Sequence, residues 1–130
     1  YTLYLKTHNY HWNVTGPMFH SLHLLFEEQY TELATAVDTI AERIRALGDK
    51  APGSYAAFAR LSSVKDAEGE PDATEMLKTL TADHRIVAER ANKVLKLAAG
   101  HEDEGTAAIA SERIEIHEKA AWMLSAHLGD

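Results

Sequence analysis

Four of the eight histidines of this chain fall within residues 8 to 23, in the segment HNYHWNVTGPMFHSLH, and two glutamates follow at positions 27 and 28. Histidine changes charge near neutral pH and is the commonest metal ligand in proteins, so this density indicates metal or proton chemistry. The chain has no cysteine, which excludes a disulfide, a thiolate zinc site and a thiol nucleophile. A metal would therefore be held by imidazole and carboxylate groups.

The element that must position these groups is a long amphipathic helix. Apolar side chains recur at alternating steps of three and four residues, at Phe19, Leu22, Phe26, Tyr30, Leu33, Val37, Ile40, Ile44 and Leu47. This periodicity predicts one helix from Phe19 to Leu47, ended by Gly48.

Four ionisable residues lie close to that apolar face: His23, Glu27, Asp38 and Glu42. At about 100° per residue they share one broad stripe of the helix. Along the axis, however, Glu27 and Asp38 are separated by about 16 Å at ~1.5 Å per residue, so the two pairs cannot hold the same ion on one helix.

The positions of the two pairs suggest how they could meet. His23 and Glu42 are equally far along the chain from a midpoint between residues 32 and 33, and so are Glu27 and Asp38. If two copies of the helix pack antiparallel about a two-fold axis at that midpoint, His23 and Glu27 of one copy face Asp38 and Glu42 of the other. Each dimer would then carry two identical sites.

His11, near the end of the preceding helix, can join His23 and Glu27. Two histidines and three carboxylates form a mixed nitrogen and oxygen site that suits Fe(II), Mn(II) or Zn(II), in which a carboxylate can bridge two metals.

Taken singly, such residues are more often part of a solvated face or a structural network. We predict that His8, His20, Glu28 and Glu32 are solvated surface residues, because they have no counterpart across the two-fold axis described above. Trp12 is interpreted as packing rather than as a redox group.

The rest of the chain is also predicted to be helical. Tyr1 to Asn13 is read as the end of a helix, and Asn13 to Pro17 as a turn. Ser54 caps a short helix through Leu61; Asp72 and Glu75 open a helix that stops at Gly100; and a last helix begins near Asp103 or Thr106. We predict an all-α, ferritin-like four-helix bundle with a short helix in the connection between the second and third helices, forming one domain over residues 1–130.

Composition restricts the partners. The formal charge of −7 argues against binding the nucleic-acid backbone and suits the collection of cations. The chain has no apolar run of membrane-spanning length and no signal-peptide pattern, so we expect no membrane association and a cytoplasmic location. Because the chain begins at Tyr1, inside an apolar-periodic stretch and without Met, we expect that a native N-terminal segment is missing.

Two stretches, HWNVTGPMFHSLHLLFEE and AVDTIAERIRALGD, resemble both signatures of the Dps family, the DNA-protection-during-starvation mini-ferritins. Weaker similarity extends through EMLKTLTADHRIV to the helical end around Trp122. The resemblance implies a hollow twelve-subunit shell with a di-iron ferroxidase centre across each dimer interface. The metal-binding and catalytic residues it implies are His11, His23 and Glu27 from one subunit and Asp38 and Glu42 from its partner.

The resemblance also implies a chemistry. The expected activity is oxidation of Fe(II), typically with hydrogen peroxide and alternatively with oxygen, followed by storage of ferric mineral, which prevents hydroxyl radical formation and protects DNA. Position 27 is often Asp in the family and is Glu here, which moves the carboxylate by one methylene. The acidic run at residues 102–104 lies where the family's three-fold pores begin, although it is explained equally well as charge at a helix start.

A second class of function stays open at the level of sequence. The chain could form a non-catalytic shell that binds zinc at the same site, or one that compacts DNA in the nucleoid through a basic N-terminal segment. DNA binding by these 130 residues alone is not expected.

Overall fold

The computed structural model describes all 130 residues and contains five helices and no strands. In chain order the helices are α1 (Thr2–Asn13), α2 (Phe19–Ala46), α3 (Tyr55–Leu61), α4 (Ala73–Gly100) and α5 (Glu104–Ala126). None of them combines the length and the apolar composition needed to span a membrane. The chain divides into two compact units, Tyr1–Met76 and Leu77–Asp130, here called the first and second units. The prediction of one domain stays a prediction.

Side-chain caps begin three of the helices, and those at Ser54 and Asp72 were predicted from the sequence. The Ser54 hydroxyl accepts a hydrogen bond from a backbone N–H in the first turn of α3. Asp72 and Glu75 form a reciprocal capping box, in which each backbone N–H donates to the other's carboxylate at 2.9 Å. The Asp103 carboxylate accepts from the Thr106 N–H at 3.0 Å. Because such bonds satisfy the first, otherwise unpaired N–H groups, they locate the helix starts.

In the first unit, α1 packs on α2, and the most deeply buried side chains of α2 include Leu22 and Phe26. The predicted apolar face of α2 is only partly correct, because Phe19, Ile40 and Leu47 are exposed. All buried residues of α2 lie between positions 22 and 36. Periodicity identifies a face of a helix, but it does not say how far along the helix a core extends.

In the second unit, Leu77, Leu80 and Leu124 are fully buried. Along α4, Ala98 is buried but Val94 is exposed. The second unit also buries several polar side chains: Thr81, Asp83, His84, Arg113, His117 and Ser125. Buried polar groups require hydrogen-bond partners, and the partners of the two histidines are described below.

Candidate metal centre

The turn between α1 and α2 brings the end of one helix against the start of the next. The Val14 N–H donates to the Tyr10 carbonyl at 2.9 Å, and the Phe19 N–H donates to the Gly16 carbonyl at 3.0 Å. Gly16 has φ of 104°, a left-handed conformation that glycine adopts without steric cost. The chain therefore reverses within a few residues, as predicted for Asn13 to Pro17.

His11 and His23 meet at this turn through two reciprocal hydrogen bonds. The Nδ1 of His11 lies 2.7 Å from the His23 carbonyl oxygen, and the Nδ1 of His23 lies 2.7 Å from the His11 carbonyl oxygen. The two rings stack, with centroids 3.8 Å apart and planes at 13°. His11 is buried and His23 is half-buried.

These hydrogen bonds determine which ring nitrogens are available. A carbonyl oxygen can only accept, so the network assigns the proton of each imidazole to Nδ1. In the neutral ring, the lone pair is then on Nε2. An imidazole that donates its other N–H to a backbone carbonyl is the usual second-shell arrangement of a metal-binding histidine. The pair therefore presents two Nε2 donors in a form suited to a divalent metal.

Further aromatic rings surround this pair. Tyr30 of α2 meets His11 edge-on at 5.2 Å and stacks on His8 at 4.0 Å. Trp12 covers the other face of His8 at 3.9 Å, while Phe19 stacks on His23 at 5.0 Å. Tyr30 thus connects α2 to α1 beside the histidine pair, whereas Trp12 and Phe19 each contact a histidine of their own helix.

One of the simpler interpretations needs correction here. His8 is half-buried between two rings rather than solvated, and burial, together with the charge of His11, lowers its pKa. Trp12 packs against His8, although 60% of the Trp12 surface is exposed. His20 and Glu28 are exposed as expected, whereas Glu32 is half-buried.

The three predicted carboxylates, Glu27, Asp38 and Glu42, are all exposed on α2. Within the single chain, no group of three or more His, Asp, Glu or Cys side chains is arranged to hold a metal ion. The structure thus brings His11 and His23 together and leaves the carboxylates at the surface.

A second histidine pair, which the sequence reasoning missed, lies in the second unit. The Nδ1 of His84 on α4 is 2.8 Å from the Nδ1 of His117 on α5, and the Nε2 of His117 is 3.0 Å from Nη2 of Arg113. Because guanidinium only donates, His117 accepts at Nε2 and its proton lies on Nδ1, directed to His84. Burial and then the charge of Arg113 lower the pKa of His117 to about 3. The spacing of Arg113 and His117, one helical turn apart, was the available signal.

Comparisons with known proteins agree with these features. The ferritin-like domain family matches residues 1–130. DNA protection during starvation protein 2 of Bacillus anthracis is 38% identical over 97% of this chain and 86% of its own length. The crystal structure of Dps from Staphylococcus aureus matches with a TM-score of 0.95, at 32% identity over 98% of this chain and 85% of that chain.

A second similar structure, from Vibrio cholerae O1, is described as a Dps protein and a member of a broad superfamily of ferritin-like diiron-carboxylate proteins. It has 35% identity and a TM-score of 0.93, covering 98% of this chain and 80% of that one.

The architecture is therefore ferritin-like: four main helices, α1, α2, α4 and α5, with the short α3 in the connection between α2 and α4. Within that class, the chain belongs to the Dps family.

Proposed function

We propose that this protein oxidises Fe(II) at sites shared between two subunits and stores the ferric product inside a hollow homo-oligomer. The observation that carries the proposal is the reciprocal hydrogen bonding of His11 and His23, which leaves both Nε2 atoms as donors. Imidazole suits iron, and carboxylate oxygens complete the mixed ligand set that binds it. We propose Glu27 of the same chain, with the partner subunit's Asp38 and the partner subunit's Glu42, as those carboxylates.

The exposed surface of α2 supports the approach of a second copy. The four α2 ligands occupy a stripe about 100° wide, and Thr31, Ala34 and Thr35 lie within roughly the same sector at its centre. All three are exposed. Since the distance between packed helices depends on the side chains at the contact, small residues there allow the two copies of α2 to approach closely. The two copies of α2 must approach closely if His23 and Glu27 of one copy are to share a metal with Asp38 and Glu42 of the other.

The chemistry follows from the number of electrons. Reduction of hydrogen peroxide to two hydroxide ions takes two electrons, and two Fe(II) ions, each oxidised to Fe(III), supply them. The carboxylates neutralise the increased charge of the product, and His11 and His23 hold the substrate ions without giving up a proton. Family resemblance makes Glu42 the carboxylate that bridges the two ions. Consuming iron and peroxide together removes the reagents that generate hydroxyl radical.

Names and descriptions of relatives support the wider role. The B. anthracis relative is named for DNA protection, and the V. cholerae protein is described as a diiron-carboxylate protein. We propose that this chain assembles as twelve subunits and protects DNA by removing iron and peroxide.

A mixing experiment tests whether the sites are shared. One variant, His11→Ala with His23→Ala, retains the carboxylates that it would lend to a partner; the other, Asp38→Ala with Glu42→Ala, retains the histidine side. Neither should oxidise Fe(II) alone. After equal co-assembly, random pairing should restore about one quarter of the sites, because each mixed dimer has one intact site. Heteromers no more active than either variant would overturn the proposal.

Anaerobic addition of Fe(II), then peroxide, distinguishes the proposal from a zinc-binding shell. Ferric absorbance should rise with two irons oxidised per peroxide, and Glu42→Gln should be the most damaging single carboxylate change because both ions lose an anionic ligand. A wild-type protein that binds Zn(II) but produces no ferric absorbance would contradict the proposed oxidation.

A further inference from the structure

We infer that Tyr30, clamped by His8, is a positioning residue that holds the His11 ring in its metal-binding orientation. The inference rests on the proposed function, since it concerns how that site is prepared before iron arrives. It is carried by the ring geometry around His11.

Three close contacts restrain the His11 ring, and the His8 ring also lies near it, tilted at 52° with centroids 6.0 Å apart. Its Nδ1 is hydrogen-bonded to the His23 carbonyl, one face stacks on the His23 ring, and Tyr30 meets it at 70° with centroids 5.2 Å apart. The hydrogen bond alone permits the ring to rock about the N–H···O direction. Stacking against His23 limits that motion from one side, and Tyr30 adds a contact of different orientation. Together they leave the Nε2 direction little freedom.

Tyr30 is itself held in place. His8 stacks on it with planes at 19°, and Trp12 covers the opposite face of His8 at 32°. His8 is thus the middle of three layers, with its neighbours coming from both α1 and α2. Tyr4 also reaches Tyr30, edge-on at 6.1 Å, and His8, at 5.7 Å, but no ring contact joins Tyr4 to His11 or His23. Tyr30 is therefore the α2 ring that is held by the α1 cluster and also contacts His11.

Tyr30 also lies beside the carboxylate side of the proposed site. It follows Glu27 by three residues on α2, a spacing at which side chains are neighbours on the helix surface. One side chain thus borders both a nitrogen ligand and an oxygen ligand. Outer-shell groups that orient metal ligands typically contribute tenfold to hundredfold to metal affinity.

The test compares Tyr30→Leu, which removes the ring, with Tyr30→Phe, which keeps it. Co(II), which reports its coordination by visible absorbance, is titrated into each assembled protein. We expect Tyr30→Leu to weaken binding at least about tenfold and Tyr30→Phe to stay within about twofold of wild type. Tyr4→Leu is the matched control, since it removes a tyrosine from the same cluster without exposing His11, and it should resemble wild type.

Crystal structures of the metal-free variants provide a readout that general destabilisation would not change. In Tyr30→Phe the His11 Nδ1 should stay hydrogen-bonded to His23, whereas in Tyr30→Leu the His11 ring should occupy more than one orientation. A single, unchanged His11 orientation in Tyr30→Leu, or equal loss of Co(II) affinity in Tyr4→Leu, would overturn the inference. If wild-type protein binds no Co(II) while the structures behave as expected, the proposed metal site fails and the positioning role stands.

Discussion

The two histidine pairs of this protein use the same side chain in opposite ways. In the first unit, His11 and His23 direct Nδ1 to backbone carbonyls and keep Nε2 for other partners. In the second unit, His84 and His117 share a hydrogen bond between their Nδ1 atoms, and Arg113 occupies the remaining nitrogen of His117. In the second pair, the Nε2 lone pair of His117 accepts a hydrogen bond from the Arg113 guanidinium and is therefore unavailable to a metal.

The difference shows that the partner of the first ring nitrogen decides the role of the second. A carbonyl can only accept, so it leaves a neutral imidazole with an available lone pair. A guanidinium can only donate, so it consumes that lone pair and repels a bound cation or proton. Counting histidines therefore says less about metal binding than identifying what each Nδ1 and Nε2 contacts.

The largest expected effect is the difference in the rate of Fe(II) oxidation between variants of the first histidine pair and variants of the second. Replacing His11 and His23 with alanine should lower the rate of Fe(II) oxidation at least about a hundredfold, since the loss of a ligand exceeds the loss of an outer-shell group. Replacing His84 and His117 with glutamine, which keeps polar groups at both positions, should leave the rate per assembled protein within about twofold. Stopped-flow absorbance of the ferric product measures both. Equal losses would remove the functional distinction between the pairs.

The second pair should instead matter for stability. His117→Leu removes the acceptor of Arg113 and the donor to His84, which should lower the free energy of unfolding by about 1.5 to 3 kcal/mol. Urea unfolding followed by circular dichroism provides the measurement. Glu118→Ala, at the exposed neighbouring position, is the control and should change stability by less than about 0.5 kcal/mol. A His117→Leu protein as stable as the control would show that the network contributes nothing.

The pH dependence of stability should carry the signature of His117. Its pKa is about 3 in the folded protein and about 6.5 when unfolded, so between those values the unfolded chain binds the extra proton. Stability should therefore fall as the pH drops below about 6.5, by at most about 1.4 kcal/mol per pH unit from this group. His117→Gln should reduce the slope between pH 6 and 4 but leave it unchanged above pH 7. Identical slopes throughout would argue against a neutral, buried His117.

The smallest expected effect is on DNA. Neither pair adds a cationic surface, and the chain carries a formal charge of −7. Affinity for a duplex depends on neutralising phosphates, so no gel shift is expected at neutral pH and physiological salt. DNA in the same mixture should still be protected from iron plus peroxide, and the protection should disappear with the His11 and His23 variants but not with the His84 and His117 variants. A tight, salt-sensitive complex would reveal a basic surface that net charge conceals.

Local signals in the sequence were sufficient for much of the fold. The caps at Ser54, Asp72 and Asp103 act within a few residues of themselves, so their helix starts were predictable. The turn around Gly16 and the length of α2 followed from equally local patterns. The extent of the core along α2 did not, because it depends on where the packing elements end.

Contacts between distant residues were harder to predict. His84 and His117 are 33 positions apart, and neither residue alone differs from an ordinary helical histidine. The prediction that His8 is solvated was wrong because the position of Tyr30 against the His8 ring depends on how α1 packs on α2, and local sequence does not specify that packing. By contrast, the arrangement of His23, Glu27, Asp38 and Glu42 follows from helix geometry alone, and their proposed meeting across a dimer stays a prediction.

The reciprocal bonds at the first turn have a consequence for how this sequence can diverge. His11 lies in the last turn of α1, where backbone carbonyls lack helical partners. The His23 Nδ1–H donates to the His11 carbonyl, whereas the His23 carbonyl, which accepts from His11, lies inside α2. His23 therefore satisfies the end of α1 as well as offering a nitrogen. A lineage that no longer needed the metal could not discard His23 freely, because an apolar replacement would leave the His11 carbonyl unpaired. Asparagine or glutamine, which can still donate to that carbonyl, are the replacements we expect at position 23 in descendants that have lost the chemistry.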